Sequence, residues 1–183
     1  KPQLISELDY GNLSYLSSIK QPIQKTVQPV NKTNYVINDD NLGAGTPKER
    51  YKNNIAAIRL LFLLEKEKRY ATKEEQEVLA KYVGWGGLAD VFDEEKGGQW
   101  LEARNILKEN LTNEEYLNAK ESTLTSFYTP REVMDGIYKT LTDMGFKTGN
   151  ILEPSAGVGN FIGNMPKEIQ GSKVYGVEKD SLS

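Results

Sequence analysis

The stretch Asn150-Ile-Leu-Glu-Pro-Ser-Ala-Gly-Val-Gly-Asn-Phe161 constrains the fold more than any other part of the chain. A short apolar run, residues 150–152, follows Thr148-Gly149 and breaks into small residues, as a buried strand entering a tight loop does. Ser155, Ala156, Gly157 and Gly159 carry little or no side chain, so backbone N–H groups there can come close to a ligand. Residues 160–165 then read as helix, stopped by Pro166. Gly171-Ser172 leads into a second apolar strand, residues 173–177, which ends on Glu178. Strand, glycine loop, helix, strand and acid is the layout of a βαβ unit that grips a nucleoside.

The residues separate the families that use this layout. A dinucleotide fingerprint needs glycines at its first, third and sixth positions; counting from Gly157 gives Gly157, Gly159 and then Ile162, with Gly163 one place late. A P-loop needs a Gly-Lys-Ser/Thr ending, and no lysine lies between Asn150 and Met165. Nicotinamide cofactors and nucleoside triphosphates are both disfavoured. The remaining pattern, Glu153-Pro-Ser-Ala-Gly-Val-Gly159 with Glu178 downstream, resembles motif I and the ribose-binding acid of class I S-adenosylmethionine-dependent methyltransferases.

Just upstream, Ser126-Phe-Tyr-Thr-Pro-Arg-Glu-Val133 resembles the Phe-Tyr-Thr-Pro motif X that precedes motif I in amino-methyltransferases of the N6-adenine type. Locally, Thr129 is a good N-cap, Pro130 fits the first helical position and Glu132 completes a capping box. The helix that follows runs to about Met144 and carries Val133, Ile137, Leu141 and Met144 at helical spacing before Gly145.

With 183 residues, 38% hydrophobic and 27% charged, the chain suits one globular domain or a small domain with a flank. It has no cysteine and no histidine, which argues against disulfides, a zinc centre and a histidine base. No apolar run approaches the roughly 20 residues of a membrane span and no leader pattern opens the chain, so a soluble, cytoplasmic protein is expected. A net charge of -3 gives no global attraction to nucleic acid.

Three regions are expected. Residues 1–45 are rich in Gln, Asn, Ser, Lys and Pro and read as a linker or extended arm. Within them Tyr35-Val-Ile37 is a short strand or a clamp on the body, and residues 39–43 a turn whose Asp39-Asp40 pair is solvated rather than metal-binding. Residues 46–120 are helical. Capping boxes at Thr46-Pro-Lys-Glu49, Thr72-Lys-Glu-Glu75 and Thr112-Asn-Glu-Glu115 start three helices, and another surrounds residues 100–108. The first should bury Tyr51, Ile55, Ile58, Phe62 and the neighbouring leucines, with residues 66–69 ending it in solvent; the second should bury Val78, Leu79, Tyr82 and Val83. Tyr82-Val-Gly-Trp-Gly-Gly-Leu88 allows two readings: a helix-capping glycine loop with Trp85 anchored in the core, or a loop presenting Trp85 to a ligand. Residues 121–183 begin the methyltransferase-like unit. The expected class is therefore α/β and mostly helical, a helical region followed by the first βαβ part of a class I, Rossmann-like fold.

A broader resemblance rests on Asn41-Leu-Gly, Thr46-Pro-Lys-Glu-Arg-Tyr, Asn54-Ile-Ala-Ala-Ile, Tyr-Val-Gly-Trp-Gly-Gly, Ser122-Thr-Leu, Phe127-Tyr-Thr-Pro and Ile151-Leu-Glu-Pro. Together these are similar to large proteins of bacterial conjugative and phage-like mobile elements that join an N6-adenine-type DNA methylase region to a helicase region. The resemblance implies one segment of a longer parent, with DNA and the remaining methyltransferase and helicase regions as partners. It implies S-adenosylmethionine as cofactor, held by Phe127, Tyr128, Thr129, Pro130, Glu153, Pro154, Ser155, Ala156, Gly157, Gly159, Phe161 and Glu178. Glu153 would accept from the methionine ammonium, residues 156–159 would line the methionine part, Glu178 would hold the ribose hydroxyls, and residues 127–129 would close over the methionine end. The chain departs from the family in lacking any Pro-Pro, the segment that holds the target amino group, so no catalytic residue is assigned and the fragment is expected to be inactive alone. The alternative is a non-catalytic helical module that binds DNA or a partner and keeps a degenerate methyltransferase scaffold. Lys48, Arg50, Lys52 and Arg59 hint at a phosphate-facing stripe for that reading. The acceptor class is open between DNA, RNA and protein.

Overall fold

A computed structural model describes residues 34–39, 41–126 and 128–182. They belong to a compact unit spanning Lys32–Ser183. The described part is mostly helical with one small parallel sheet, compatible with an α/β fold.

Three helices begin where the capping boxes place them. Helix α1 (Pro47–Glu67) has Thr46 as N-cap with Glu49 returning to the Thr46 N–H, and it ends at Lys68 in the left-handed region, φ 52°. Its buried residues, Tyr51, Asn54, Ile55, Ala57, Ile58, Leu60 and Leu64, follow much of the expected face, while Leu61, Phe62 and Leu63 are half-buried. Arg69 does not simply end it in solvent: its guanidinium makes paired 2.7 Å hydrogen bonds to both oxygens of Glu75. Glu75 is the capping-box residue of α2 (Lys73–Leu79), so one buried carboxylate starts α2 and ties it to the end of α1. The Arg69 contact holds the Glu75 carboxyl below its ordinary range, so this stabilisation is present above that range and is lost as pH falls through the folded-state value. Leu60 and Leu64 close a cluster with Val78 between the two helices. Helix α2 is shorter than its apolar pattern suggests, and Tyr82 and Val83 lie beyond it.

An unanticipated short helix, α3 (Ala89–Phe92), precedes α4 (Gln99–Asn110), and α5 (Asn113–Ser122) starts at the third capping box, Thr112. Between α2 and α3, Trp85 is fully buried and meets Phe92 edge-on at 5.4 Å, and Phe92 meets Tyr116 of α5 at the same distance. The core-anchored reading of the Tyr-Val-Gly-Trp-Gly-Gly segment holds, and Trp85 is not offered to a ligand. Arg104 of α4, also buried, donates to the carbonyls of Val91, Asp93 and Lys96 and closes the α3–α4 connection.

Helix α6 (Arg131–Asp143) corrects two expectations. Thr129 is not its N-cap: Pro130 takes that position, extended at ψ 149°, with no side-chain cap. The preceding residues are drawn across the site described below, so Thr129 faces a cleft instead of the helix end. The expected apolar line is also rotated. Val133 is 50% and Met144 79% exposed, and Ile137 is exposed too, whereas Met134 and Tyr138 are buried. Tyr138 decides this, because its hydroxyl donates to the Phe161 carbonyl at 2.5 Å and its ring meets Phe161 edge-on. Only Leu141 serves both lines.

Strands β1 (Asn150–Glu153) and β2 (Lys173–Gly176) are parallel, with Ile151 opposite Val174 and Leu152 opposite Tyr175. Ile151 and Val174 pack on Tyr138, Met165 and Ile169, while Leu152, Tyr175 and Val177 face water. The connection is α7 (Asn160–Gly163), shorter than the 160–165 expected, and a 3-10 turn at Lys167–Ile169. Tyr35-Val-Ile37 forms no strand and acts as the clamp: the Ile37 N–H donates to the Gly163 carbonyl at 2.9 Å. The 39–43 turn is present, with Asn41 N–H donating to the Asp39 side chain, while Asp40 lies outside the described residues. Among the described residues no helix is long and apolar enough to cross a membrane, and no group of side chains could hold a metal ion.

Fully buried Asn54 of α1 joins the helices to the glycine segment after α2. Its Nδ2 donates to the Gly84 carbonyl at 2.6 Å and its Oδ1 accepts from the Val83 N–H at 3.0 Å. Asn54→Leu keeps the branched shape and strands both backbone groups, so it should lower stability by about 2–4 kcal/mol. For a unit of this size that corresponds to a fall in Tm of about 5–15 °C by circular dichroism. An unchanged Tm would mean that Gly84 and Val83 have other partners available.

Candidate functional site

A cleft of about 540 Å³ opens at the carboxyl ends of the two strands, where open α/β sheets bind ligands. One wall is the motif-I-like loop with Glu153, Ser155, Ala156, Gly157, Asn160 and Phe161. The second is the segment after β2, with Glu178, Lys179 and Asp180. The third comes from the helical region: Asn118, Glu121 and Ser122 of α5, then Thr125, Ser126, Tyr128 and Thr129.

Eight residues singled out in the sequence therefore share one cleft: Tyr128, Thr129, Glu153, Ser155, Ala156, Gly157, Phe161 and Glu178. The Phe161 ring is also part of the Tyr138 cluster. Pro130, Pro154 and Gly159 do not line it; they shape the chain around it, with Gly159 left-handed at φ 77° and donating to the Ala156 carbonyl. Phe127 lies outside the described residues. Asn118, Glu121 and Thr125 were not foreseen, since nothing in an exposed helix end foretells which distant loop it will face.

The loop N–H groups are largely engaged within the protein. Ala156 N–H donates to the Val177 carbonyl at 2.9 Å, and Gly157 N–H donates to Glu178 Oε2 at 2.7 Å. Glu178 Oε1 accepts from the N–H groups of Lys179 and Asp180 at 2.8 and 2.9 Å. These backbone donors, Asp180 foremost, hold the Glu178 carboxyl below its ordinary range. A carboxylate has about four lone-pair sites, so Glu178 keeps one for a ligand, on Oε2. Glu153 Oε1 accepts a long contact from Ser155 N–H at 3.4 Å.

Among the described lining residues the cleft is acidic, with the carboxylates Glu121, Glu153, Glu178 and Asp180 and the ammonium of Lys179. Tyr128 feels both conditions, since burial pushes its hydroxyl up to about 12, with the Asp180 and Glu178 carboxylates adding to the shift. With few free N–H donors and an excess of carboxylates, the cleft is poorly made for a polyphosphate. It suits a ligand with positive charge and hydroxyl or ammonium donors.

The fold and cleft define an α/β unit with an acid-lined site at its strand ends, and sequence comparison places a methyltransferase beside it. Over 57 residues the chain is 40% identical to the Type II methyltransferase M.CvrRI of Paramecium bursaria Chlorella virus XZ-6E. The matched segment is 31% of this chain and 14% of that protein, so the chain is related to a methyltransferase over a small part of the relative's length. No family model matches the chain, and neither does a solved structure.

The Glu178–Gly157 contact predicts a titration. Because the Glu178 pKa is lowered, the contact should be complete above the ordinary glutamate value of about 4.3 and should break as pH falls through the lower folded value. The Gly157 amide resonance in a 15N–1H spectrum should follow that midpoint and stop doing so in Glu178→Gln. A midpoint at or above the ordinary value would count against the contact.

Proposed function

We propose that the cleft binds S-adenosylmethionine and that this chain is the cofactor-binding part of a DNA adenine-N6 methyltransferase. The observation that carries the reading is the charge of the cleft, four carboxylates against one ammonium, at the strand ends of a chain related to a methyltransferase. S-adenosylmethionine carries a sulfonium and an ammonium against one carboxylate, so it brings net positive charge to an acidic wall; a nucleoside triphosphate brings the opposite. The cofactor supplies an electrophilic methyl group.

In this reading Glu153 accepts from the methionine ammonium and the backbone at Ser155, Ala156 and Gly157 lines the methionine part. Tyr128 and Thr129, with Phe127, close over that end, and Glu178 accepts from the ribose hydroxyls. A diol needs two acceptor positions and Glu178 has one to spare, so binding exchanges one of its present backbone donors for the ribose. Methyl transfer belongs to a longer protein in this proposal, because no Pro-Pro segment is present to hold a target base. DNA and the remaining methyltransferase and helicase regions are its proposed partners.

One observation favours the alternative, a non-catalytic module on a degenerate scaffold: Ala156, Gly157 and Glu178 already satisfy one another or their neighbours. Its DNA-binding form loses part of its support, since Arg50, one of the four cations of the expected stripe, turns Nη1 inward to the Gly86 carbonyl at 3.1 Å.

Calorimetric titration separates the two. The chain should bind S-adenosylhomocysteine saturably, and S-adenosylmethionine at least as tightly because of its sulfonium. Mg-ATP should give no binding, and Glu178→Ala should weaken the nucleoside by about tenfold or more, the loss of one charged hydrogen-bond partner. No heat from a chain shown to be folded by circular dichroism would overturn the cofactor reading and leave the scaffold.

A further inference from the structure

The segment Gly84-Trp85-Gly86-Gly87 is buried at its tryptophan and takes no direct part in the cleft, yet it holds three glycines in four positions. Each glycine meets a different neighbour. A Cβ on Gly84 would lie 2.2 Å from the Tyr128 hydroxyl oxygen, and one on Gly86 would lie 2.5 Å from the Ser126 carbonyl oxygen. A Cβ on Gly87 would approach the Arg50 guanidinium to 3.3 Å. Gly84 and Gly86 thus leave room for two residues of the segment that crosses the cleft.

The loop is itself held from behind. Asn54 grips Val83 and Gly84, Arg50 grips the Gly86 carbonyl, and Trp85 is locked against Phe92. On its other side Tyr128 reaches the motif-I-like loop, where a Cβ on Gly157 would lie 3.3 Å from its ring carbon Cε1. Gly84 sits at φ +63° and Gly157 at φ +52°, so both backbones occupy the left-handed region in which glycine is favoured.

We propose that the Gly84-Trp85-Gly86-Gly87 loop is a positioning element of the nucleoside cleft, setting the Tyr128 ring against Gly157 by giving its hydroxyl the space that a side chain at position 84 would fill. The inference rests on the cofactor reading above for its functional consequence. The helical region is then part of the binding site through Tyr128, and its packing tunes the affinity of a cleft its loop does not touch.

The test uses the whole chain in three variants, Gly84→Ala, Tyr128→Phe and the double variant, with two readouts. The first is S-adenosylhomocysteine affinity; the second is the Gly157 amide resonance, which senses the nearby ring whether or not ligand binds. Gly84→Ala should weaken binding by about tenfold or more and move the Gly157 resonance. Tyr128→Phe alters a residue of the cleft itself, so it serves only as the background against which the double variant is read. In the Tyr128→Phe background Gly84→Ala should cost no more than about threefold, well short of the tenfold step in the parent, since removing the hydroxyl relieves the clash while the strain of alanine at positive φ remains. Gly84→Ala binding like the parent, or leaving the Gly157 resonance in place, would overturn the proposal. So would an equal loss of affinity on Gly84→Ala in the parent and in the Tyr128→Phe background, or a Gly84→Ala chain that fails to fold and is not restored by Tyr128→Phe. If the parent itself binds no nucleoside, the cofactor reading fails, and the resonance alone decides the positioning.

Discussion

Gly84 meets the hydroxyl end of Tyr128 and Gly157 meets the edge of its ring, each so closely that a methyl group in place of hydrogen would stand 2.2 Å and 3.3 Å from the tyrosine. Close passage of an aromatic side chain by two separate loops requires both backbones to lack a Cβ at the contact. Much of the helical region serves that passage. The Asn54 amide fixes Gly84, the Trp85–Phe92 contact anchors the loop, and the Arg69–Glu75 pair with its capping box fixes the helix from which the loop departs. Ser126, Tyr128 and Thr129 line the cleft, and α6 begins at Arg131 without a side-chain cap.

The same crossing shapes the chemistry of the cleft. Tyr128 closes one side of a site whose charged groups are mostly carboxylates, and the loop N–H groups of Ala156 and Gly157 are turned to Val177 and Glu178. A glycine loop is usually read as an anion cradle. Here the internal hydrogen bonds remove that capacity and leave four carboxylates to set the potential. Glu178 has a double part, tying the glycine loop to the end of β2 while keeping one acceptor position toward the cleft.

The sheet is half covered. Ile151 and Val174 enter the core with Tyr138, Met165 and Ile169, but their neighbours Leu152 and Tyr175 face water. Parallel strands in larger sheets are buried on both faces, which is why these segments read as nearly continuous apolar runs. Val133, Ile137 and Met144 add an exposed apolar line on α6.

Local chemistry was legible in the residues alone. The boxes at Thr46, Thr72 and Thr112 start helices as written, since a threonine oxygen and a glutamate three places on satisfy N–H groups without distant help. The two strands and the acid after the second were equally plain, and eight of the candidate residues meet in one cleft. What depended on distant partners was not legible. Thr129 and Glu132 spell a capping box, but Thr129 is drawn into the cleft with Tyr128. Val133-Met134 and Ile137-Tyr138 make two adjacent apolar lines on α6, and only the Phe161 carbonyl, reached by the Tyr138 hydroxyl, chooses between them. Both readings of the Trp85 loop fitted the sequence until Phe92 and Asn54 were in place. Hydrogen bonds within a turn are set by spacing along the chain, whereas the face a helix buries and the space a glycine must leave are set by whichever neighbour the tertiary fold brings up.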